Sequence, residues 1–321
     1  MISRRLLLGA GLAAPFVASS GAARAQGFPD RPLRYVCPFP PGATSDNVSR
    51  TMTRALGPRL GVPVIVENKA GAGGAIGSRM VAEAKPDGSV LLNASAGNLT
   101  IAPHLSHVGY DPLRDLAPVA LAGVAYGVIA VNPALPVRTV AELIDLGRRR
   151  PGFLNYASAG IGSAGHLRGA LLADEARVDA VHVPFPGSAA AAMSVVSGDC
   201  HLIIDPIAAP HAQEGRLRAL ATIGPDRWDA FPDLPNLAEL GIGRNWPGET
   251  WYGLFAPRGT PAPVIARLNR DFNDSLAEPE VAAALLRFGV KPEAVAPEEL
   301  GRRVAADHAD IGRVLRRLNI A

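Results

Sequence analysis

The chain is poor in cysteine and in aromatic residues: Cys37 and Cys200 are its two thiols, and Phe, Trp and Tyr together make up 5% of it. Two cysteines do not make a zinc site, and so few aromatics provide no platform for stacking bases. Charge of one sign is lacking as well. Three of the 32 basic residues, Arg4, Arg5 and Arg24, precede Gln26 in a stretch without acids, which leaves 29 basic against 29 acidic residues in the remainder. The high overall pI is therefore largely a property of the N-terminus, and no basic stripe points to nucleic acid. Beyond Val17 no run approaches the roughly twenty apolar residues that a spanning helix needs. There is no H-E-x-x-H pair or carboxylate cluster to suggest a metal, no internal repeat and no low-complexity tail. What is plentiful is apolar material, 48% of 321 residues, enough for a packed core in about two domains.

The N-terminus reads as an export signal. Met1-Ile2-Ser3-Arg4-Arg5-Leu6-Leu7-Leu8 leads into an apolar, Gly- and Ala-rich run and then Ala23-Arg24-Ala25 before Gln26. That is a secretory signal peptide over residues 1–25 with an A-x-A cleavage site. The paired arginines suit the twin-arginine route, with Sec export as the alternative. The expected product is a soluble periplasmic protein without a cofactor, and it reads as a monomer.

From Leu33 onward, short apolar runs alternate with longer helical patterns, the signature of α/β architecture. Strands are expected at Leu33–Pro38, Pro63–Glu67 and Val90–Asn93, with helices near Ser45–Leu60 and Ile76–Ala84. A second series places strands at Val128–Val131, Asn155–Ala157, Ala180–Val183, His201–Ile204 and Arg218–Ile223. Its helices are Val140–Arg149, Ala164–Glu175 and Ala189–Ser197. After a Pro-rich loop comes the apolar run Trp251–Phe255, a helix from Pro263 continuing toward Phe288, and a last helix over Pro297–Leu318. Order alone does not say whether this last part forms a third unit or returns to the first. Both cysteines sit in strand-like runs of different units that must move, so two buried free thiols are expected.

The strand-to-helix turns carry the chemistry. Phe39-Pro40-Pro41-Gly42-Ala43-Thr44-Ser45-Asp46 follows the first strand, and Ser95-Ala96-Gly97-Asn98 the third. Ser158-Ala159-Gly160-Ile161-Gly162-Ser163 and Pro184-Phe185-Pro186-Gly187-Ser188 precede helices of the second series. Ligands of open α/β sheets bind beyond the carboxyl ends of strands, where helix N-termini favour anions. One such turn merely caps a helix; four in two units suggest a small carboxylate.

Other motifs say less. Gly160-x-Gly162-x-x-Gly165 matches a dinucleotide fingerprint, but Asp174, Glu175 and Asp179 fall short of the spacing to a ribose-binding acid. Gly71-Ala72-Gly73-Gly74 lacks the ending of a phosphate-binding P-loop. Ser163, His166 and Asp205 supply the residue types of a secreted serine hydrolase, yet Ile161 breaks G-x-S-x-G and the order is not that of an α/β-hydrolase. No catalytic residue is assigned. A second rival is a sensor that presents its solute to a signalling partner.

Taken together the turns resemble the Bug family, the periplasmic receptors of tripartite tricarboxylate transporters. Pro38-Phe39-Pro40-Pro41-Gly42 with Asp46, Val66-Glu67-Asn68-Lys69, Pro86-Asp87-Gly88, Tyr110-Asp111-Pro112, Leu154-Asn155-Tyr156-Ala157-Ser158, His182-Val183-Pro184 and Trp251-Tyr252-Gly253-Leu254 carry the resemblance in order. It implies a type II periplasmic-binding fold: two α/β domains joined by two crossover strands, with the ligand cleft between them. Residues 26–125 plus 248–321 would form domain 1 and 126–247 domain 2. Trp251–Phe255 would be the returning crossover, beside an outgoing one near Leu121–Val131.

The resemblance further implies a small organic carboxylate as ligand, hinge closure around it, and delivery to the membrane components of the transporter. One carboxylate would be held by Gly42, Ala43 and Thr44 on one side and Ala159, Gly162 and Ser163 on the other. Phe39, Ser95, Asn98, Gly187, Ser188 and Asp205 would complete the wall, with Asp205 either a ligand contact or a hinge or cap. This chain has Ala43 where the family usually has Gly, and Phe185-Pro186-Gly187 in place of a Tyr-Lys-Gly turn. That loss of a lysine and a hydroxyl leads to the expectation of a monocarboxylate, or of a ligand with an apolar far end.

Overall fold

The computed structural model describes residues 27–320 apart from Asn245 and Gly248, so the signal peptide and its paired arginines lie outside the described residues. The first elements are β1 (Leu33–Cys37), α1 (Thr44–Leu60), β2 (Val64–Asn68), α2 (Ala75–Ala82) and β3 (Val90–Ser95). A π-turn over Gly97–Ile101 then leads into α3 (Ala102–Leu105) and β4 (Leu116–Ala125). The second series runs β5 (Gly127–Val131), α4 (Val140–Arg149), β6 (Leu154–Ser158), α5 (Ala164–Ala176), β7 (Ala180–Pro184), α6 (Ser188–Ser197), β8 (Leu202–Ile204), α7 (Ala208–Gln213) and β9 (Arg218–Ile223). Last come β10 (Trp251–Pro257), α8 (Ala262–Leu276), α9 (Pro279–Arg287), β11 (Val290–Pro292) and α10 (Pro297–Arg317).

Two sheets result, in the orders β11-β4-β10-β3-β1-β2 and β7-β6-β8-β5-β9. Helices cover both faces of each, which is why strand residues of either parity are apolar. On β1, Leu33 and Tyr35 pack with Met52 and Leu56 of α1 and Phe272 of α8, while Val36 packs on the other face with Val81 and Leu92. In the second sheet, Ile129 and Val131 meet Leu143 and Leu172, and Val128 and Ala130 meet Ala191 and Val195. The parallel pairs β1–β2, β1–β3, β6–β7 and β6–β8 direct their carboxyl ends toward the turns singled out above.

The chain crosses between sheets at Tyr126, between β4 and β5, and returns between β9 and β10. Trp251 of β10 pairs with Val124 of β4, antiparallel, and the Ala125 N–H donates to the Thr250 carbonyl at 2.6 Å. The two crossings thus lie side by side, as the resemblance implied. Cys37 and Cys200 are buried and unjoined.

Three differences from the sequence reading have physical causes. The helix expected from Pro263 toward Phe288 is two, because Pro279 cannot continue α8 and instead opens α9. Strand β4 escapes recognition because Leu116–Ala125 is rich in alanine and interrupted by Pro118 and Gly123, all depleted in strands. β11 has three residues and α7 six, too short for a period to show.

Candidate ligand cleft

The segments that follow β1, β3, β6 and β8 meet at a narrow cavity of about 40 Å³ between the sheets. Phe39, Ala43, Ser45, Ser95, Gly97 and Tyr252 line it from one side, and Ala159, Ser163, Gly165, Arg168, Ser188 and Asp205 from the other. Tyr126 and Thr250 close it at the crossings.

Buried side chains behind the wall shape each turn. The Asp46 carboxylate accepts from the Gly42 N–H at 3.0 Å, Asn68 Nδ2 at 2.8 Å and Arg50 Nε at 2.9 Å. Burial pushes this carboxyl up, but those donors outweigh it and hold it below the ordinary carboxylate value. On β3, Asn93 Nδ2 donates to the Ser45 carbonyl at 2.7 Å and to its hydroxyl at 3.1 Å, fixing the first turn of α1. The Ser95 N–H and hydroxyl donate to Asn98 Oδ1 at 2.7 and 2.8 Å, and Asn98 Nδ2 donates to Ser78 at 2.7 Å.

On the opposite side, the Ser163 hydroxyl caps α5 by accepting from the His166 N–H at 3.3 Å. The His166 ring accepts from the Gly162 N–H at 3.4 Å and stacks on His182 with centroids 4.0 Å apart. Among the described residues no hydrogen bond joins the Ser163 hydroxyl to that ring. α6 begins at Gly187 without a side-chain cap. The sides touch where the Thr44 N–H donates to the Ser188 hydroxyl at 3.2 Å and the Thr44 hydroxyl to Asp205 Oδ1 at 3.4 Å.

A sequence model described as the tripartite tricarboxylate transporter family receptor matches residues 48–320. The chain belongs to this receptor family. Protein BugT of Bordetella pertussis is 34% identical over 291 residues, covering 88% of this chain and 89% of BugT. A solved R. palustris protein with adipate superposes at a TM-score of 0.87 with 31% identity, covering 92% of this chain and 99% of that one. MatC from Rhodopseudomonas palustris with bound malate does so at 0.84 with 32% identity, over 90% and 100%. The type II periplasmic-binding fold read from the sequence is that of these receptors.

Of the wall residues expected for the receptor, Phe39, Ala43, Ser95, Ala159, Ser163, Ser188 and Asp205 do line the cavity. Gly42, Thr44, Asn98, Gly162 and Gly187 are not among its lining residues. Asn98 is fully buried behind the wall and orients Ser95. Gly187 lies against Pro40. Gly162 is a contact between the sides, since a Cβ there would fall 2.8 Å from the Ala102 Cβ. The backbone N–H groups expected to grip a carboxylate are also engaged: Gly42 with Asp46, Ala43 with Pro40, Thr44 with Ser188, Gly162 with His166 and Ser163 with Gly160. Four of these amides are engaged within their own turn and that of Thr44 by the opposite side, so donors without an intrahelical acceptor sit one position further on, in the first turns of α1, α5 and α6.

Ser45, Tyr126, Gly165, Arg168, Thr250 and Tyr252 also line this cavity and were not singled out from the sequence. Ser45 and Gly165 lie next to named residues and were within reach. Arg168 was findable too, because it follows Ala164 at i+4 and so shares the cleft-facing side of α5. Tyr126 and Thr250 carry no local signal; only the adjacent crossings bring them together. Phe185 packs against the apolar core beneath α6.

Proposed function

We propose that this chain is a periplasmic receptor that captures a small organic carboxylate and delivers it to the membrane components of a tripartite tricarboxylate-type transporter. The observation that carries the reading is a cavity between two sheets onto which the N-termini of α1, α5 and α6 and the Arg168 guanidinium converge. Helix N-termini and a guanidinium both favour negative charge, and walls of low dielectric strengthen the attraction. The carboxylates in the solved relatives, adipate and malate, support the same class. In this reading residues 26–125 with 248–321 move against 126–247, and the ligand, touching both, draws the population toward the closed form. Cleavage after Ala25 would release the receptor into the periplasm.

Thermal-shift screening of the mature protein against a panel of organic acids tests the proposal; no stabilisation by any acid would refute it. Ser163→Ala is expected to weaken binding of the best acid about tenfold and, by removing a helix cap, to lower stability by about 1 kcal/mol. An unchanged dissociation constant would remove Ser163 from the binding wall.

Asp205 adds a pH dependence. Burial pushes its carboxyl up to about 6, against the opposing pull of the Ile207 N–H, the Thr44 hydroxyl and Arg168. Below that pH it is neutral; above it, a carboxylate faces the ligand. A dianionic acid is expected to bind about three- to tenfold more weakly at pH 8 than at pH 5.5. Asp205→Asn should flatten the difference. Calorimetry at the two pH values decides it, and a variant as pH-sensitive as the wild type would count against Asp205.

A further inference from the structure

Arg168 is the cationic side chain among the described residues that line the cleft, and its partners leave much of it uncommitted. Nε donates to the Thr250 hydroxyl at 3.1 Å, and among the described residues no other hydrogen bond and no ion pair engages the guanidinium. Both Nη groups remain as donors in a fixed planar fork. Thr250 sits on the returning crossing, so its bond fixes the guanidinium of one sheet's helix against the chain entering the other sheet. Arg168 and Thr250 also border a second cavity of about 120 Å³, with Ile223, Leu237, Trp246 and Glu249. The pair therefore stands as a partition at the end of the ligand cavity. A guanidinium partly removed from water and without an ion-pair partner is costly to keep. Burial lowers its pKa to about 10, partly offset by Glu249 and Asp205, and the group stays charged at neutral pH.

We propose that Arg168, oriented by Thr250, selects ligands that carry a second carboxylate at the far end from the helix N-termini of α1 and α6. This rests on the carboxylate-receptor reading above and replaces the expectation of a monoacid with an apolar tail. A bidentate fork matches a carboxylate, so the second group would gain two charge-assisted hydrogen bonds. A monoacid of equal length would leave the cation facing a methyl group.

The test is calorimetry of the mature protein with matched pairs: succinate and butyrate, glutarate and pentanoate, adipate and hexanoate. For the best pair, the wild type is expected to prefer the diacid by about 10- to 100-fold. In Arg168→Gln that preference should fall to within about threefold, with diacid affinity falling far more than monoacid affinity and the ligand-free melting temperature held or raised. Arg168→Lys, which keeps the charge and loses the fork, should retain an intermediate preference. Thr250→Val should reduce the preference while sparing monoacid binding, because Thr250 acts by positioning. A loss shared equally by diacid and monoacid, or a ratio unaltered in Arg168→Gln, would overturn the assignment and leave the receptor reading standing. A wild type that binds none of the six acids would overturn this assignment, and the receptor reading falls with it only if the wider organic-acid panel stabilises nothing.

Discussion

Gly162→Val is expected to weaken binding of the preferred acid by about 100-fold while leaving each half of the protein folded. Gly162 does not line the cavity, yet it lies where the turn after β6 meets α3: a Cβ would sit 2.8 Å from the Ala102 Cβ and 2.9 Å from its Cα. Its φ of +80° adds strain for any side chain. Valine would hold the sides apart and cost the ligand the contacts of one of them, on the order of 3 kcal/mol or 100-fold. Gly73 offers an independent check across the same gap, since a Cβ there would fall 2.6 Å from the Ile161 carbonyl oxygen. Gly73→Val should weaken binding in the same direction. Calorimetry reads the affinity, and small-angle scattering with saturating acid reads the closure. Wild-type affinity in both variants would show that the sides do not close on the ligand through this contact.

Asp46→Ala should produce the largest loss of stability, about 2–4 kcal/mol by denaturant unfolding. The change leaves the Gly42 N–H without its acceptor, leaves Asn68 Nδ2 with its bond to the Phe39 carbonyl alone, and leaves Arg50 with only its 3.2 Å bond to Asn68 Oδ1. The turn that carries Phe39 and Ala43 into the cavity would lose its brace, so binding should weaken as well. The sign of the pH dependence follows from the depressed carboxyl. Stability contributed by Asp46 is complete above the unfolded-state pKa, near 4, and is lost as the pH falls through the lower folded value. The difference between wild type and Asp46→Ala should therefore shrink below about pH 4. A constant difference down to pH 2 would show that packing rather than charge carries the effect.

The contrast between Asp46 and Asp205 shows how unevenly the site could be read in advance. Both are acids beside strand-end turns, and both stood out in the sequence. One is held ionised by an arginine, an asparagine and a backbone amide; the other is pushed up by burial with fewer donors. Of the two roles weighed for Asp205, ligand contact or cap, the hydrogen bond from the Ile207 N–H at 2.9 Å is a cap's, while its place in the cavity lining keeps it in reach of a ligand. The turns were legible because Gly, Ser and Pro mark them locally. The direction of their N–H groups was not, because the acceptors that engage them include Asp46, Ser188 and His166, set by how each turn folds and how the two sides meet.

By itself the sequence determined the alternation of strands and helices, the positions of the four turns and the family, since apolar period, turn residues and motif order are all local properties. Only the tertiary structure decided which residues share the cavity. Arg168 and Thr250 are separated by a long stretch of chain and become neighbours because β10 returns beside β4, a pairing that depends on the packing of whole sheets. A cation's partner, and so its meaning, is a matter of distance in space, which no spacing along the chain records.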